Sequence, residues 1–141
     1  MRNSRLSDKF KVVIAVVPAV VGAGAIAPVE VDCTGFVRAI YILETGAAGA
    51  GNSTIAFKIQ DAATSGGALA DLTGAASAGL TKAANASKVH VYDVPVNPAR
   101  LFQKVTGAVG TDTFALGCVC ILYKGRNYPV ATTYATEAVV I

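Results

Sequence analysis

Alternating apolar and polar residues predict several β-strands along this chain. The clearest is Thr54 to Gln60, where Ile55, Phe57 and Ile59 fall on one side of an extended segment and polar residues mostly on the other. The run from Phe36 to Glu44 is also predicted as a strand, but it is apolar on both sides except for Arg38. Neither stretch has the spacing of an amphipathic helix.

The rest of the chain continues this β pattern. Ala68 to Ala86 is rich in alanine but interrupted by glycine, serine and threonine, which predicts irregular chain or short strands. The turn-rich link Gly107 to Asp112 predicts a hairpin between the strands on either side of it. Further strands are predicted at residues 29–33, 89–94, 101–106 and 113–123.

Short strands separated by glycine-rich loops are typical of an antiparallel β-sandwich or a jelly-roll-like barrel. We therefore expect an all-β protein with one sandwich domain over residues 29–124, an extended N-terminal arm over residues 1–28 and an extended C-terminal tail over residues 125–141. Lys11 to Val21 is expected to form a strand, with Pro18 at an edge or a bend. The tail is expected either to pair with a neighbouring subunit or to fold back onto its own domain.

Composition narrows the possible classes of function. Of the 141 residues, 53% are hydrophobic and 15% are charged, whereas a typical soluble domain has roughly 25% charged residues. This balance excludes a disordered polar chain and a coiled coil. It also indicates more apolar surface than one solvated domain needs, so we expect a protein that packs against neighbours.

The net charge of +3 is concentrated at the N-terminus. The first eleven residues form a basic tip with four basic residues, Arg2, Arg5, Lys9 and Lys11, and one acidic residue, Asp8. In the rest of the chain the positive and negative charges balance. This is not the spread basic face of a nucleic-acid-binding protein, so no specific nucleic acid is expected. Because Asp8 interrupts the tip and Pro18 breaks the apolar run after it, we expect neither a cleaved signal peptide nor a membrane span.

The residues that commonly carry chemistry are few. Cys118 and Cys120 are two residues apart in a predicted strand, so both point to one face, and with Cys33 they are expected to be reduced buried thiols. The single histidine, His90, could form a catalytic pair with Cys118 or Cys120. The sequence favours the alternative, in which His90 has only a structural role in its strand. The segment Gly22 to Ala27 matches G-x-G-x-x-A but precedes a proline instead of a helix. We expect no enzyme, no metal and no cofactor.

Two stretches together carry a resemblance to a known family. Thr54-Ile-Ala-Phe-Lys-Ile-Gln-Asp61 runs through a small loop into Leu69-Ala-Asp-Leu-Thr-Gly-Ala75, and Ala99-Arg-Leu-Phe-Gln-Lys-Val-Thr106 leads to Phe114–Tyr123 and Gly125-Arg-Asn-Tyr-Pro129. This order resembles the small β-sandwich virion proteins of tailed bacteriophages, of the capsid-decoration or cement type. The resemblance covers residues 29–129, and Leu69 stands where those proteins usually have tryptophan.

The resemblance implies a structural virion protein that binds an assembled capsid, made in the host cytoplasm and present in many copies in a symmetric assembly. Its partners would be the major capsid protein and neighbouring copies of the same chain. Alternatives are a head–tail connector, a tail or minor capsid protein, and a carbohydrate-binding host-recognition module that uses exposed tyrosines. The residues expected to bind partners are Arg2, Arg5, Lys9, Lys11, Tyr128 and Tyr134.

Overall fold

A computed structural model describes residues 10–77, 80–81 and 85–123, together with the backbone of residues 137–140. These residues form eleven strands: β1 (Phe10–Val21), β2 (Gly24–Ala25), β3 (Val31–Asp32), β4 (Arg38–Ala48), β5 (Thr54–Ala62), β6 (Ala70–Ala76), β7 (Leu80–Thr81), β8 (Val89–Pro95), β9 (Phe102–Gly110), β10 (Phe114–Tyr123) and β11 (Glu137–Val140). The predicted strands are present, and the alanine-rich segment contributes the strands β6 and β7.

The strands form two sheets, which confirms the predicted all-β antiparallel sandwich. The first sheet has the order β1-β10-β4-β8-β11, and the second has the order β2-β9-β5-β6, with β3 also on β9 and β7 also on β5. Neighbouring strands are antiparallel except for β11, which runs parallel to β8.

The core lies between the two sheets and consists of the inward-facing residues of both. The ring of Phe57 on β5 meets the ring of Tyr92 on β8 edge to face, with centroids 5.2 Å apart. A polar bridge also crosses the core: the Tyr41 hydroxyl donates to Oε1 of Gln103 at 2.9 Å, and Nε2 of Gln103 donates to the carbonyl of Pro95 at 3.1 Å. Tyr41 and Gln103 are both fully buried, so this bridge satisfies their polar atoms inside the core.

The predicted hairpin at residues 107–112 is wrong, because β9 and β10 lie in different sheets. Gly107 is a strand residue of β9, paired with Phe57, and not part of a turn. A Cβ atom on Gly107 would lie 2.7 Å from the Cα of Phe57, so glycine is needed there for the close approach of β5. The turn itself occupies Thr111 to Thr113, where Thr111 has a φ of 72°.

The described part of the predicted N-terminal arm is extended, and it is an edge strand of the sandwich itself. β1 pairs with β10 from Phe10 opposite Tyr123 to Val21 opposite Phe114. The register shifts on both sides of Val16, close to Pro18, in agreement with the expected edge or bend. Residues 10–28 therefore continue the sandwich, which the predicted boundary at residue 28 does not reflect.

Of the predicted C-terminal tail, the structure describes residues 137–140. They form β11 and pair with residues 90–93 of β8 in the same chain. Of the two arrangements expected for the tail, these four residues adopt the one in which it folds back onto its own domain.

Candidate interaction surface

The outer side of the first sheet carries a continuous group of aliphatic side chains. Along β4, residues 39, 41 and 43 are buried against the second sheet, so Ile40 and Ile42 point outward. The same alternation on the neighbouring strands brings more aliphatic residues to this side. We call the group the aliphatic face: Val12 and Ile14 on β1, Val119 and Ile121 on β10, Ile40 and Ile42 on β4, and Val91 on β8.

The strand register arranges the aliphatic face in two adjacent rows. One row is Ile14, Val119, Ile42 and Val91, and the other is Val12, Ile121 and Ile40, followed by Asp93. Neighbouring strands are about 4.8 Å apart, so side chains along each row are within contact distance. Val12 and Ile14 are 54% and 51% exposed, and the other five are partly exposed. A contiguous apolar patch of this kind is typical of an interaction surface.

Along β4, polar groups border the aliphatic face on both sides of Ile40 and Ile42. At one end, Asp93 accepts hydrogen bonds from Nε of Arg38 at 2.8 Å and from the Tyr123 hydroxyl at 2.6 Å. The pKa of Tyr123 is raised, mainly by partial burial and to a smaller extent by the hydrogen bond to Asp93. At the other end, Glu44 is exposed. From residue 38 to residue 44, the outward positions of β4 therefore run from a cation through two isoleucines to an anion.

A shallow open hollow of about 370 Å³ adjoins the aliphatic face where β1 bulges over β10. Pro18 of the bulge lies over Gly117, and a Cβ atom on this glycine would come within 2.9 Å of the proline Cγ. The hollow is lined mainly by apolar residues and opens beside Ile42 and Glu44. It extends the apolar surface toward the edge strand.

The outer side of the second sheet is different, because polar and charged pairs cross it. Nζ of Lys58 lies 2.8 Å from Oδ1 of Asp71, and the hydroxyl of Thr106 donates to Oε1 of Gln60 at 2.6 Å. Hydrogen bonds from Lys58 and then Gln60 lower the pKa of Asp71. This side is solvated in the ordinary way, so the two outer surfaces of the sandwich are chemically distinct.

The structure places one of the six predicted partner-binding residues, Lys11. This residue is exposed near the start of β1 and pairs in register with the core residue Leu122, so it belongs to the inward-facing side of the strand, opposite to the aliphatic face. The pKa of Asp32 is lowered, mainly by hydrogen bonds from Thr34 and to a smaller extent by the positive charge of Lys11. The other five, Arg2, Arg5, Lys9, Tyr128 and Tyr134, lie outside the described residues.

The candidate cysteine–histidine pair is not brought together. Leu43 on β4 pairs with Cys118 on one side and with His90 on the other, so one strand separates the two side chains. Burial raises the pKa of Cys118 to about 12, which keeps the thiol protonated. The imidazole of His90 is buried and meets the ring of Phe57 edge to face at 6.1 Å.

The expected cysteine geometry is confirmed. Cys118 and Cys120 both point into the core, and these two and Cys33 are buried free thiols. The segment that matches the dinucleotide pattern forms the short strand β2, which pairs with β9.

Within the described ranges no three histidine, cysteine or acidic side chains are grouped so that they could hold a metal ion. Over the same ranges the structure has no helix that is long and apolar enough to cross a membrane. Neither a protein-family model nor a curated protein matches the sequence.

Sequence reasoning did not select the aliphatic face as a site, although its signal was present. The run Phe36 to Glu44 is apolar on both sides except for Arg38, and a strand of this kind needs cover on both sides. In the structure one side of β4 is covered by the second sheet and the other side is the aliphatic face. What the sequence alone could not provide was the register that places Ile14, Val119 and Val91 beside Ile42.

Proposed function

We propose that this chain is a structural virion protein that binds and stabilises an assembled bacteriophage capsid, as a decoration or cement protein. The observation that carries the proposal is the contrast between the aliphatic face and the polar outer side of the second sheet. A subunit of an assembly needs one surface whose burial lowers the free energy and another surface that stays in contact with water. The resemblance of residues 29–129 to phage decoration proteins supports the same class.

The buried polar groups of the sandwich are consistent with a structural role. They join strands and loops: Tyr41 and Gln103 bridge the sheets, and Arg100 bonds the carboxylate of Asp61, which is almost fully buried. The thiols of Cys33 and Cys118 are held protonated, because burial raises the pKa of each to about 12. These side chains stabilise the fold and are poorly placed for covalent catalysis.

The proposed mechanism is stabilisation by mass action. A protein that binds the closed shell and not its separated subunits shifts the equilibrium toward the closed shell. Many symmetry-related copies multiply a modest contact, so each copy needs only a small interface. The ends of the described chain pair within their own sandwich, so this mechanism does not depend on free arms.

The proposal is tested on particles of the phage that encodes this chain. We expect purified virions to contain the chain in a fixed ratio to the major capsid protein. Virions that lack it should lose their DNA at lower temperature, and added purified chain should restore the wild-type temperature. Absence of the chain from virions would overturn the proposal. About a dozen copies at one vertex would also overturn it, in favour of a connector.

A further inference from the structure

The charged residues that border the aliphatic face along β4 are arranged so that two copies of the face can be complementary to each other. Between residues 38 and 44 of β4, the outward residues are Arg38, Ile40, Ile42 and Glu44, so a cation begins this stretch and an anion ends it. The next outward residue, Gly46, has no side chain. If a second copy of this strand is laid over the first in the opposite direction, Ile40 meets Ile42 and Arg38 meets Glu44. The pattern therefore matches its own reverse.

We infer that two copies of this chain pair through the aliphatic face, with their β4 strands antiparallel about a twofold axis that passes over Tyr41. This inference rests on the proposed role as an assembly subunit. It assigns the aliphatic face to a second copy of the same chain, so contact with the capsid uses other surfaces of the pair. A twofold axis makes the interface isologous, so each contact in it occurs twice.

The neighbouring strands agree with this axis. Cys120 on β10 lies level with Tyr41, so the outward Val119 of one copy meets Ile121 of the other. On β8, Tyr92 lies level with Tyr41, so Val91 of one copy meets Asp93 of the other. The carboxylate of Asp93 is already bound by Arg38 and Tyr123 of its own chain, which compensates its charge beside an apolar partner.

The charges select the antiparallel arrangement over the parallel one. A twofold axis along β4 would place Arg38 over Arg38 and Glu44 over Glu44, and both contacts repel. The axis over Tyr41 places Glu44 over Arg38 at each end. Because Arg38 also binds Asp93 of its own chain, this contact mainly avoids the repulsion between like charges. Like charges in an interface disfavour a pairing, so the distribution of charge acts on orientation as well as on affinity.

The size of the aliphatic face predicts a weak dimer. Four strands and seven residues along β4 span roughly 19 Å by 20 Å, so two copies would bury about 800 Å² in total. Stable dimers bury about 1,200–2,000 Å². We therefore expect a dissociation constant of about 10–500 µM in solution, and tighter pairing where an assembly holds neighbouring copies together.

The test is sedimentation equilibrium of the full chain from about 5 µM to about 1 mM, a range set by the expected dissociation constant. We expect the mass to rise from 14.3 kDa toward twice that value. Ile42→Glu places a charge in the centre of the face and should weaken dimerisation at least tenfold. Ala56→Glu, at an exposed outward position of β5, is the matched control and should leave dimerisation unchanged. If Ile42→Glu does not fold, Ile42→Thr keeps a β-branched side chain and should still weaken the dimer.

Orientation is tested by Glu44→Arg, which sets two arginines opposite each other in the antiparallel dimer. This variant should weaken dimerisation at least fivefold, and 0.5 M salt should reduce the difference. A chain that stays monomeric to 1 mM overturns the inference, as do equal effects of Ile42→Glu and Ala56→Glu, or no effect of Glu44→Arg. A monomeric chain that is still present in virions would overturn this inference alone, whereas a dimeric chain absent from virions would overturn only the proposed function.

Discussion

The hydroxyl of Tyr41 in the first sheet donates a 2.9 Å hydrogen bond to Oε1 of Gln103 in the second sheet, and both side chains are fully buried. Burial is the main cause that raises the pKa of Tyr41 well above its ordinary value, so the phenol remains a donor across the working range of pH. Because a hydrogen bond depends on distance and direction, this bond favours one relative position of the two sheets.

Removal of this donor should destabilise the fold. Tyr41→Phe leaves Oε1 of Gln103 buried without the phenol, so we expect the free energy of unfolding to fall by about 1–3 kcal/mol. Urea denaturation measures the change. Tyr41→Phe combined with Gln103→Leu should cost less than the sum of the two single changes, because the double variant buries neither polar partner of the bond. Additive losses would contradict the proposed coupling.

The salt bridge between Arg100 and Asp61 should matter more than the one between Lys58 and Asp71. The side chain of Asp61 is 5% exposed, whereas that of Asp71 is 62% exposed. Arg100→Met leaves a buried carboxylate without its cation and should cost about 3 kcal/mol. Lys58→Met should cost less than about 1 kcal/mol. Thermal unfolding of both variants at pH 7 measures the difference, and equal losses would contradict the role assigned to burial.

A substitution at Gly107 should be far more damaging than one at Gly22. A Cβ atom at residue 107 would enter the backbone of β5, but at Gly22 it meets nothing within 4 Å. We expect Gly107→Ala to destabilise the protein by about 3 kcal/mol or more and Gly22→Ala to remain within about 0.5 kcal/mol of wild type. Urea denaturation of both variants measures this, and a stable Gly107→Ala protein would show that β5 and β9 can separate.

The carboxylate of Glu30 should contribute to acid sensitivity. Hydrogen bonds from the Ser65 hydroxyl and the Gly66 amide lower its pKa below the ordinary value of 4.5. Below about pH 5 the unfolded chain therefore binds more protons at this site than the folded chain, so stability is lost as the pH falls. Glu30→Gln should flatten the dependence of the unfolding free energy on pH between about 5 and 3, and Ser65→Ala should flatten it less. Chemical denaturation at a series of pH values measures both slopes.

The three thiols should react slowly in the folded protein. Burial raises the pKa of Cys33 and Cys118 to about 12, and it also raises the pKa of Cys120. At pH 8 only about one thiol in ten thousand is then ionised at each of the first two sites. A thiol-specific chromogenic reagent should detect all three cysteines in urea and almost none without it. Rapid reaction of one thiol in the folded state would show that the core opens locally.

Local pattern was sufficient for most of the fold. The alternation in Thr54 to Gln60 fixes which side of β5 is buried, and the β-branched residues of β1 predict an extended segment. The sequence could not predict whether Gly107 lies in a turn or in a strand, because glycine is common both in turns and at close contacts between strands. The hairpin prediction failed for this reason.

The aliphatic face depends on pairing between residues that are far apart in the chain. Ile14, Ile42 and Val119 become neighbours only through the register of three strands. Several registers satisfy the same local pattern, so the sequence predicts an excess of apolar surface without its location. Residue type alone predicts the basic tip, Tyr128 and Tyr134 as partner-binding residues, and residue type does not indicate where on the sandwich a residue lies.

The difference between the two outer sides of the sandwich makes the whole domain amphipathic, as a surfactant is. Such a body has a preferred orientation at any boundary between water and a less polar phase. On a hydrophobic bead or at an air–water interface, the domain should adsorb with Val12 and Ile14 toward the apolar phase and with Lys58 and Asp71 toward water. Two copies that pair through their aliphatic faces hide these faces from the boundary, so the dimer should lose the preferred orientation that the single domain has.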